Sequence, residues 1–248
     1  MAKSILTHNL SEPLAGATSA KVNVSVADGN LMMDKLANGE QILASGALQY
    51  VERQGLPTES VDVVNGQATL TLKAKSAGRP WFHFPWDACN AATEWRIHLN
   101  PNVQSDITAH SGGGNVKLNL AGMAVTRLSA DTGGGNMDVV LPNHAANLNV
   151  VARSGAGNVT VELGDETTGS NIIHAGSGAG NVVLRLPKGI AACIHATTGF
   201  GKVIMDSQFN KIDDKTFQSP DYAMARDKVE ITVQSGAGSV SVNIKQSV

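Results

Sequence analysis

The chain has 248 residues, of which 42% are hydrophobic, 16% are charged and 4% are aromatic, and its formal net charge is −2. This length allows a single domain with a sizeable core, and the small net charge gives no electrostatic reason to expect nucleic acid or an anionic membrane as a partner. The two cysteines, Cys89 and Cys193, are too few for a disulfide framework, and the sequence does not fix whether they pair.

The chain begins with a segment that predicts little regular structure. Residues 1–21 are interpreted as an irregular lead-in. In residues 22–33, alternating valines are followed by Asn30, which aligns with an asparagine column that recurs later in the chain. We interpret residues 22–33 as a degenerate edge or capping unit of a repeat array.

The next segments predict an antiparallel N-terminal portion, which we place within residues 22–100. Residues 41–50 and 60–73 have the character of strands, with apolar and polar residues alternating. The second segment contains Asn65-Gly66, which is typical of a two-residue type I′ hairpin turn. These strands should pair as a meander that leads into the repeats.

Residues 78–94 interrupt this pattern with a concentration of aromatic side chains. Trp81, Phe82, Phe84 and Trp86 occur together in a chain that is otherwise poor in aromatics. The favoured interpretation is a plug that covers exposed core at one end of the repeat array, because such an end must be covered. The other is an exposed platform that binds a carbohydrate, a peptide or another subunit. These four side chains are our candidate binding residues.

The dominant feature of the sequence is a corner of the form Ser/Thr-Gly-x-Gly, which occurs six times. Its first glycines, spaced by 21 to 23 residues except for a last step of 37, are Gly112, Gly133, Gly155, Gly178, Gly199 and Gly236. Apolar and polar residues alternate on both sides of each corner, so two strands with one buried face should meet there. A fixed period of this length is typical of stacked repeats, none of which can bury its apolar face alone.

We therefore predict an all-β fold, in which a solenoid-like stack of roughly 22-residue two-strand repeats forms a β-helix. The chain is treated as one domain over residues 1–248. Five repeats fill residues 101–206, an inserted loop follows at 207–225, and the last repeat and tail occupy 226–248. We expect the repeats to stack in sequence order, with the asparagines that follow four of the corners forming a ladder of stacked amides.

The glycine corners favour architecture over ligand chemistry. A dinucleotide-binding loop needs a third glycine and a following helix, whereas a strand is predicted after every corner here. Calcium-binding nonapeptide repeats need a shorter period and an aspartate after the last glycine, and this sequence has neither. We expect no cofactor and no metal site.

Two histidines share one column of the repeats. His174 and His195 would lie about 4.8 Å apart if the repeats stack in order. A metal site needs three or four converging ligands. Because only two are visible in the sequence, a surface histidine pair is the favoured interpretation.

Glu162, Arg185 and Asp206 share a second column, in which the arginine would lie between the two carboxylates. A surface ladder of ion pairs is the favoured interpretation. The alternative is a general acid/base pair of the kind used in glycoside hydrolysis. Its carboxylates would be about 9.6 Å apart with an arginine between them, which is a poor catalytic layout.

Two stretches carry a family resemblance: Ser-Gly-Ala-Gly-Asn-Val-Thr-Val-Glu-Leu at 154–163 and Gly-Ser-Gly-Ala-Gly-Asn-Val-Val-Leu-Arg-Leu-Pro at 176–187. At these repeats the sequence resembles bacterial toast-rack domains, which occur in candidate adhesins and in the C-terminal parts of LiaF-like and phage-shock envelope-stress regulators. The resemblance covers residues 22–244. It implies a non-enzymatic β-solenoid-like domain that contacts proteins or surfaces, and it supplies no catalytic residues.

The favoured function is a non-catalytic structural or interaction module, an adhesin-like scaffold protein linked to the bacterial cell envelope. Two alternatives stay open: a self-assembling β-solenoid that forms filaments or oligomers, and a polysaccharide-acting β-helix enzyme. The expected partner is another protein or a second copy of this chain, and carbohydrate is a further candidate. Neither nucleic acid nor direct membrane insertion is expected.

The sequence shows no targeting signal. No apolar run near the N-terminus has the length of a signal peptide, and no stretch approaches the roughly 18 apolar residues of a membrane span. The sequence as it stands predicts a cytoplasmic protein, or an extracellular one if it is part of a longer chain.

Overall fold

The structure, a computed structural model, describes residues 4–37, 41–75 and 93–245. In these ranges every regular element is a β-strand except one 3-10 turn at Glu52–Gln54. The all-β prediction is therefore confirmed. No helix within the described ranges is long and apolar enough to cross a membrane.

The strands are short and follow one another along the whole described chain. The first seven are β1 (Ile5–Pro13), β2 (Ser19–Val26), β3 (Gly29–Lys35), β4 (Ile42–Val51), β5 (Thr58–Val64), β6 (Gln67–Lys73) and β7 (Thr93–Leu99). The next eight are β8 (Gln104–Ser111), β9 (Val116–Asn119), β10 (Val125–Thr132), β11 (Met137–Val140), β12 (His144–Ala146), β13 (Asn149–Ser154), β14 (Val159–Glu162) and β15 (Glu166–Thr168). The last eight are β16 (Ser170–Ser177), β17 (Val182–Leu186), β18 (Ala192–Phe200), β19 (Val203–Met205), β20 (Asn210–Lys211), β21 (Thr216–Gln218), β22 (Lys228–Ala237) and β23 (Val240–Ile244).

Two large sheets contain almost all of these strands. The ten-stranded sheet has the order β1-β4-β7-β3-β9-β11-β14-β17-β23-β19, and the eleven-stranded sheet has the order β20-β21-β18-β22-β16-β13-β10-β8-β2-β6-β5. Strands β12 and β15 pair separately. Each of the six repeats contributes one strand to each large sheet, so the chain passes between the sheets at every corner. The apolar side chains of both sheets form one continuous core.

The repeats stack in parallel and in register. In the eleven-stranded sheet, Leu128 lies opposite Ile107 on one side and Val150 on the other, and all three are fully buried. The alanine column next to the corners keeps the same register, with Ala130 opposite Ala152. Because each column holds similar side chains, neighbouring repeats cover each other's apolar faces.

The order of the repeats differs from the prediction at one place. The sixth repeat, formed by β22 and β23, lies between the fourth repeat (β16 and β17) and the fifth repeat (β18 and β19) in both sheets. The prediction of stacking in sequence order is therefore wrong for the last two repeats. The observed order is possible because the step between the last two repeats is longer. Residues 206–227 give the chain enough length to return past the fifth repeat and place the sixth repeat next to the fourth.

The corner side chains explain why the fifth repeat is the last in space. Asn181 Oδ1 accepts a hydrogen bond from the backbone N–H of Ser239 at 2.9 Å, and Ser239 Oγ accepts one from the N–H of Lys202 at 3.3 Å. A lysine side chain cannot accept a hydrogen bond. Lys202 therefore suits the end of the ladder, where no further repeat offers an N–H group.

The N-terminal portion mixes both pairing directions, so the antiparallel prediction is right only in part. Antiparallel pairs join β1 to β4, β4 to β7 and β5 to β6, whereas β2 and β3 pair in parallel on both sides. The hairpin at Asn65-Gly66 is confirmed, since both residues have the positive φ of a type I′ turn, 52° and 77°.

Residues 22–33 are internal, so the prediction of an edge or capping unit is wrong. Strand β2 lies between β6 and β8, and β3 lies between β7 and β9. The alignment of Asn30 with the asparagine column is confirmed, because its Oδ1 accepts a hydrogen bond from the N–H of Asn115 at 3.0 Å. The β1, β4 and β5 strands lie further out and form the N-terminal end of the stack. Because β1 and the start of β2 lie within residues 1–21, the prediction of an irregular lead-in there is wrong.

Part of residues 207–225 covers one sheet edge at the opposite end. Strands β20 and β21 form a hairpin that adds to β18 in the antiparallel direction. Phe209 of this segment is buried in the core. The ten-stranded sheet has no such cover in the described ranges, because β19 pairs with β23 alone.

Candidate functional site

The hydroxyl groups of the corners hold neighbouring repeats together. At the third repeat, Ser154 Oγ donates a hydrogen bond to the Gly135 carbonyl of the repeat below and accepts one from the N–H of Gly157, both at 2.8 Å. The equivalent hydroxyls that donate to a glycine carbonyl belong to Ser111, Thr132, Ser177, Thr198 and Ser235. These hydroxyl groups are thus engaged in hydrogen bonds between neighbouring repeats.

The corner glycines allow backbones of successive repeats to touch. A Cβ atom on Gly157 would overlap the carbonyl group of Gly135. None of the twelve glycines that close the six corners on either side of their middle residue has a positive φ. Close approach of two backbones, which only glycine permits here, is thus the reason for these glycines.

The asparagine ladder is present in a different form from the one predicted. The Oδ1 atoms of Asn115, Asn136 and Asn158 each accept a hydrogen bond at 2.9 Å from the backbone N–H of the equivalent residue one repeat further on. The contacts therefore run from side chain to backbone instead of from amide to amide. The corners and their ladder are architecture, as the sequence indicates.

A groove lies beside the corners on the outer face of the eleven-stranded sheet. Its volume is about 510 Å³, and it crosses the third, fourth, sixth and fifth repeats in that spatial order. Its sides include the side chains of Arg153, Gln234 and Thr197, and its floor includes Gly176. We call this surface the corner groove, defined by these four residues and the corner residues next to them.

The corner groove has a positive side. Within the described ranges, Arg153 is the one charged residue that lines it, and its side chain is exposed. The neighbouring acidic residue on the sheet is Asp131, but its carboxylate hydrogen-bonds the ring of His110 at 2.5 Å. The ion pairs found among the described residues do not include Arg153. Its guanidinium is therefore available to an anion.

The histidine column is assembled differently from the prediction. Thr232 of the sixth repeat lies between His174 and His195. The two histidines are thus two strand spacings apart, about 9.6 Å, and the expected close pair is wrong. No group of three or more potential metal ligands occurs among the described residues.

The charged column is altered by the same insertion. Arg185 pairs with Glu162 at 3.6 Å, which confirms that part of the surface ladder. Its other neighbour is Asn243, so the expected contact with Asp206 is wrong. Glu162 and Asp206 lie three strand spacings apart, about 14 Å. This separation exceeds the range for paired glycosidase carboxylates.

A polar cluster joins the two sheets at the N-terminal end. His8 on β1 and Glu59 on β5 are 2.5 Å apart. A hydrogen bond between Glu12 and Glu59, together with burial, raises the pKa of Glu12 to about 7. Burial acts to raise the pKa of Glu59 as well, but hydrogen bonds with Glu12 and His8 lower it overall. The contact between His8 and Glu59 therefore links an outer strand of one sheet to an outer strand of the other.

Cys193 does not have the environment of a reactive thiol. It is half-buried on β18, and burial, with the nearby charges of Glu230 and Asp213, raises its pKa. A reactive cysteine needs the opposite shift, because the thiolate is the nucleophile. Its potential partner Cys89 lies outside the described residues.

The four candidate binding residues, Trp81, Phe82, Phe84 and Trp86, also lie outside the described residues. The corner groove was not predicted from the sequence. Its signal is Gly176, a glycine that precedes a corner at a position where the other five repeats carry a side chain.

Known proteins share this architecture. Residues 2–162 match the family model described as the N-terminal domain of toast_rack, DUF2154. No curated protein matches the sequence. A crystal structure of a candidate cell adhesion protein from Clostridium sporogenes ATCC 15579 has a TM-score of 0.69 at 20% identity, with 98% of this chain and 100% of that chain covered. A candidate adhesin from Bacteroides fragilis NCTC 9343 aligns at 10% identity over 97% of this chain and 98% of that chain, with a TM-score of 0.33.

Proposed function

Because the chain belongs to the family of the toast-rack N-terminal domain, we propose that it is a non-catalytic interaction module of the adhesin type, associated with the bacterial cell envelope. Its scaffold is a solenoid-like stack of two-strand repeats of roughly 22 residues. The Clostridium sporogenes protein, whose fold is similar, is described as a candidate cell adhesion protein, and this description supports the proposal.

The observation that carries the proposal is the corner groove. The corner groove is concave and has a volume of about 510 Å³. This volume is within the range found for pockets that hold small ligands. The non-catalytic part is supported by the corner hydroxyls, which are engaged in the scaffold, and by the wide separation of Glu162 and Asp206. An adhesive module needs polar groups that are available on a rigid surface. The sheet is the rigid surface, and the side chains of Arg153 and Gln234 are the available groups.

The proposal is tested by incubating the protein with an array of immobilised neutral and acidic glycans, and analysing the same glycans in solution for cleavage. We expect retention on part of the array and no change in glycan length after prolonged incubation. Retention on no glycan, or release of shorter products, would sink the proposal.

A second candidate function, self-assembly, is favoured by the uncovered strand β19. Ile204 on β19 is 53% exposed, and Phe200 just before it is 83% exposed. Strands β1 and β19 form opposite edges of the same sheet and run in the same direction. A second copy could therefore add its β1 to β19 by continued parallel pairing, and repetition of this heterologous contact would give filaments.

Sedimentation velocity over a range of protein concentrations tests self-assembly. Wild type should form species larger than a monomer as concentration rises, and Ile204→Lys should reduce them. Ile212→Lys is the matched control, because Ile212 is similarly exposed, at 59%, but lies in the segment before β21. A wild-type monomer at all concentrations would rule this function out.

We also propose that Trp81, Phe82, Phe84 and Trp86 contribute to binding as an aromatic platform. The support is their concentration in one stretch of a chain with 4% aromatic residues. Replacing Trp81 and Trp86 by alanine should weaken retention on the glycan array without lowering the thermal midpoint of unfolding. A lowered midpoint with unchanged retention would instead identify these residues as a plug.

A further inference from the structure

Gly176 differs from the corner glycines in what a side chain would meet there. It has no positive φ. A Cβ atom at this position would have the Cγ atom of Gln234 as its nearest contact, at 3.3 Å. This neighbour is the flexible side chain of an exposed residue, so it can move aside. The backbone of the fold therefore does not require glycine at position 176.

The missing side chain leaves a space between two long polar residues, and the Gln234 side chain leans into it, with its Nε2 atom 3.7 Å from the position that a Cβ atom of residue 176 would take. Arg153 and Gln234 lie opposite Gly176 on its two sides in the sheet. Their strands are two spacings apart, about 9.6 Å. A side chain at position 176 would occupy the middle of this gap. Glycine there leaves this space to the Gln234 side chain, which is flexible and can move to admit a ligand.

The chemistry of the gap selects an anionic and polar ligand. Arg153 presents a planar guanidinium that matches a carboxylate in a two-point contact. Gln234 offers an amide donor and acceptor, and Thr197 offers a hydroxyl. Among the residues that the structure describes, those that line the groove include no large apolar or aromatic side chain. A fatty acid or a nucleobase would therefore find no complementary surface.

We infer that the corner groove binds an acidic saccharide, with its carboxylate on Arg153 and its hydroxyls on Gln234 and Thr197. This inference rests on the proposed interaction function and names the ligand class of the same surface. The buried hydroxyls of Ser154, Ser177 and Ser235 stay in the corners, so the contact is made by the exposed residues of the groove.

Isothermal titration of the full chain with trigalacturonic acid tests the inference, with its methyl ester, neutral cellotriose and inorganic phosphate as further probes. Wild type should bind trigalacturonic acid. It should bind the methyl ester and cellotriose at least tenfold more weakly than the acid, because these two ligands lack the charge that pairs with Arg153. Equal binding of the acid and the ester would overturn the inference. Phosphate that displaces the acid with equal affinity would show a simple anion site and would also overturn it.

Two variants locate the ligand. Gly176→Thr should abolish binding by filling the gap, while its thermal midpoint stays at or above that of wild type. Arg153→Gln should weaken binding by about tenfold or more, and Lys117→Gln on the opposite sheet should leave it unchanged. Binding unaffected by Gly176→Thr would overturn the inference.

These outcomes are separable from those of the proposed function. Glycans retained on the array by wild type and equally by Gly176→Thr would leave an adhesive module with a different binding surface. Absence of retention of any glycan would remove the proposed function itself.

Discussion

The corners and the groove beside them are both built from small residues, but for opposite reasons. At the corner, Gly157 lies so near Gly135 that a methyl group would overlap the backbone of the next repeat. In the groove, Gly176 has a movable side chain as its nearest neighbour. Glycine at the first position is a condition of stacking. Glycine at the second leaves space that the fold does not need.

This difference shows how a repeat protein can separate architecture from function. The stack constrains every repeat to the same corner, so the corner holds no room for variation. The outer face is less constrained, because its side chains lie in solvent. A glycine at a position where every other repeat carries a side chain is therefore a better sign of a binding surface than a motif shared by all repeats.

The largest expected effect is that of Gly157→Ala. The added Cβ must push two backbones apart, and overpacking of this kind costs about 1–3 kcal/mol of the free energy of unfolding. Urea unfolding followed by circular dichroism measures it. A variant as stable as wild type would mean that the stack tolerates wider spacing at the corner.

A smaller loss is expected for Asn136→Ala. The N–H of Asn158 would lose its acceptor, although it can bond to water because the site is exposed. The expected cost is about 0.5–1.5 kcal/mol in the same unfolding measurement. Asn9→Ala, at an exposed position of β1 and outside the ladder, serves as the control. Equal losses in the two variants would contradict a specific role for the ladder.

A gain of stability is expected for Gly176→Ala. Glycine within a strand costs about 0.5–1 kcal/mol relative to alanine, and nothing rigid opposes the new methyl group. The thermal midpoint should therefore rise. A fall of the size seen for Gly157→Ala would erase the distinction between the two glycines.

The sequence alone was enough to predict the two strands of each repeat, the register of the first four repeats and the structural role of the corners. These features repeat, and each column such as Leu128 with Ile107 has one physical explanation. The sequence did not predict β1, which lies in residues interpreted as an irregular lead-in. The spatial order of the last two repeats was not predicted, because their apolar columns are interchangeable. Lys202 in place of an asparagine was the available signal.

The groove escaped prediction for a related reason. Gly176 is the one glycine in its column of the repeats, but the sequence alone does not show whether that glycine serves the fold or a ligand. Whether a glycine lies near a rigid backbone or near a movable side chain is a property of three-dimensional contacts. The cluster of His8, Glu12 and Glu59 likewise joins segments that are distant in sequence.

The smallest expected effect is a dependence of stability on pH. It is expected for the polar cluster at the N-terminal end, but not for the corners or the groove. Corner groups are serine, threonine, glycine and asparagine, which do not titrate, so their contribution should not change with pH. Glu12 has its pKa raised from 4.5 to about 7. Its stabilising contribution is therefore complete below pH 4.5 and is lost as the pH rises through 7.

Glu12→Gln should remove this pH dependence, because glutamine resembles the protonated carboxyl group. Thermal midpoints of the variant, relative to wild type, should rise between pH 4.5 and pH 8. Glu59, with its lowered pKa, contributes the opposite trend only below its ordinary value of 4.5. Parallel curves for wild type and variant over the higher range would show that the Glu12–Glu59 contact does not affect folding.

Saturation mutagenesis at positions 157 and 176, read out by resistance to proteolysis, tests the central distinction most directly. We expect every substitution at position 157 to make the protein less resistant than wild type, because every other residue adds a Cβ atom that overlaps the neighbouring backbone. Many residues, including threonine and alanine, should be tolerated at position 176. If position 176 proved as restrictive as position 157, then the glycine there would serve the fold, and the assignment of the groove to ligand binding would be contradicted.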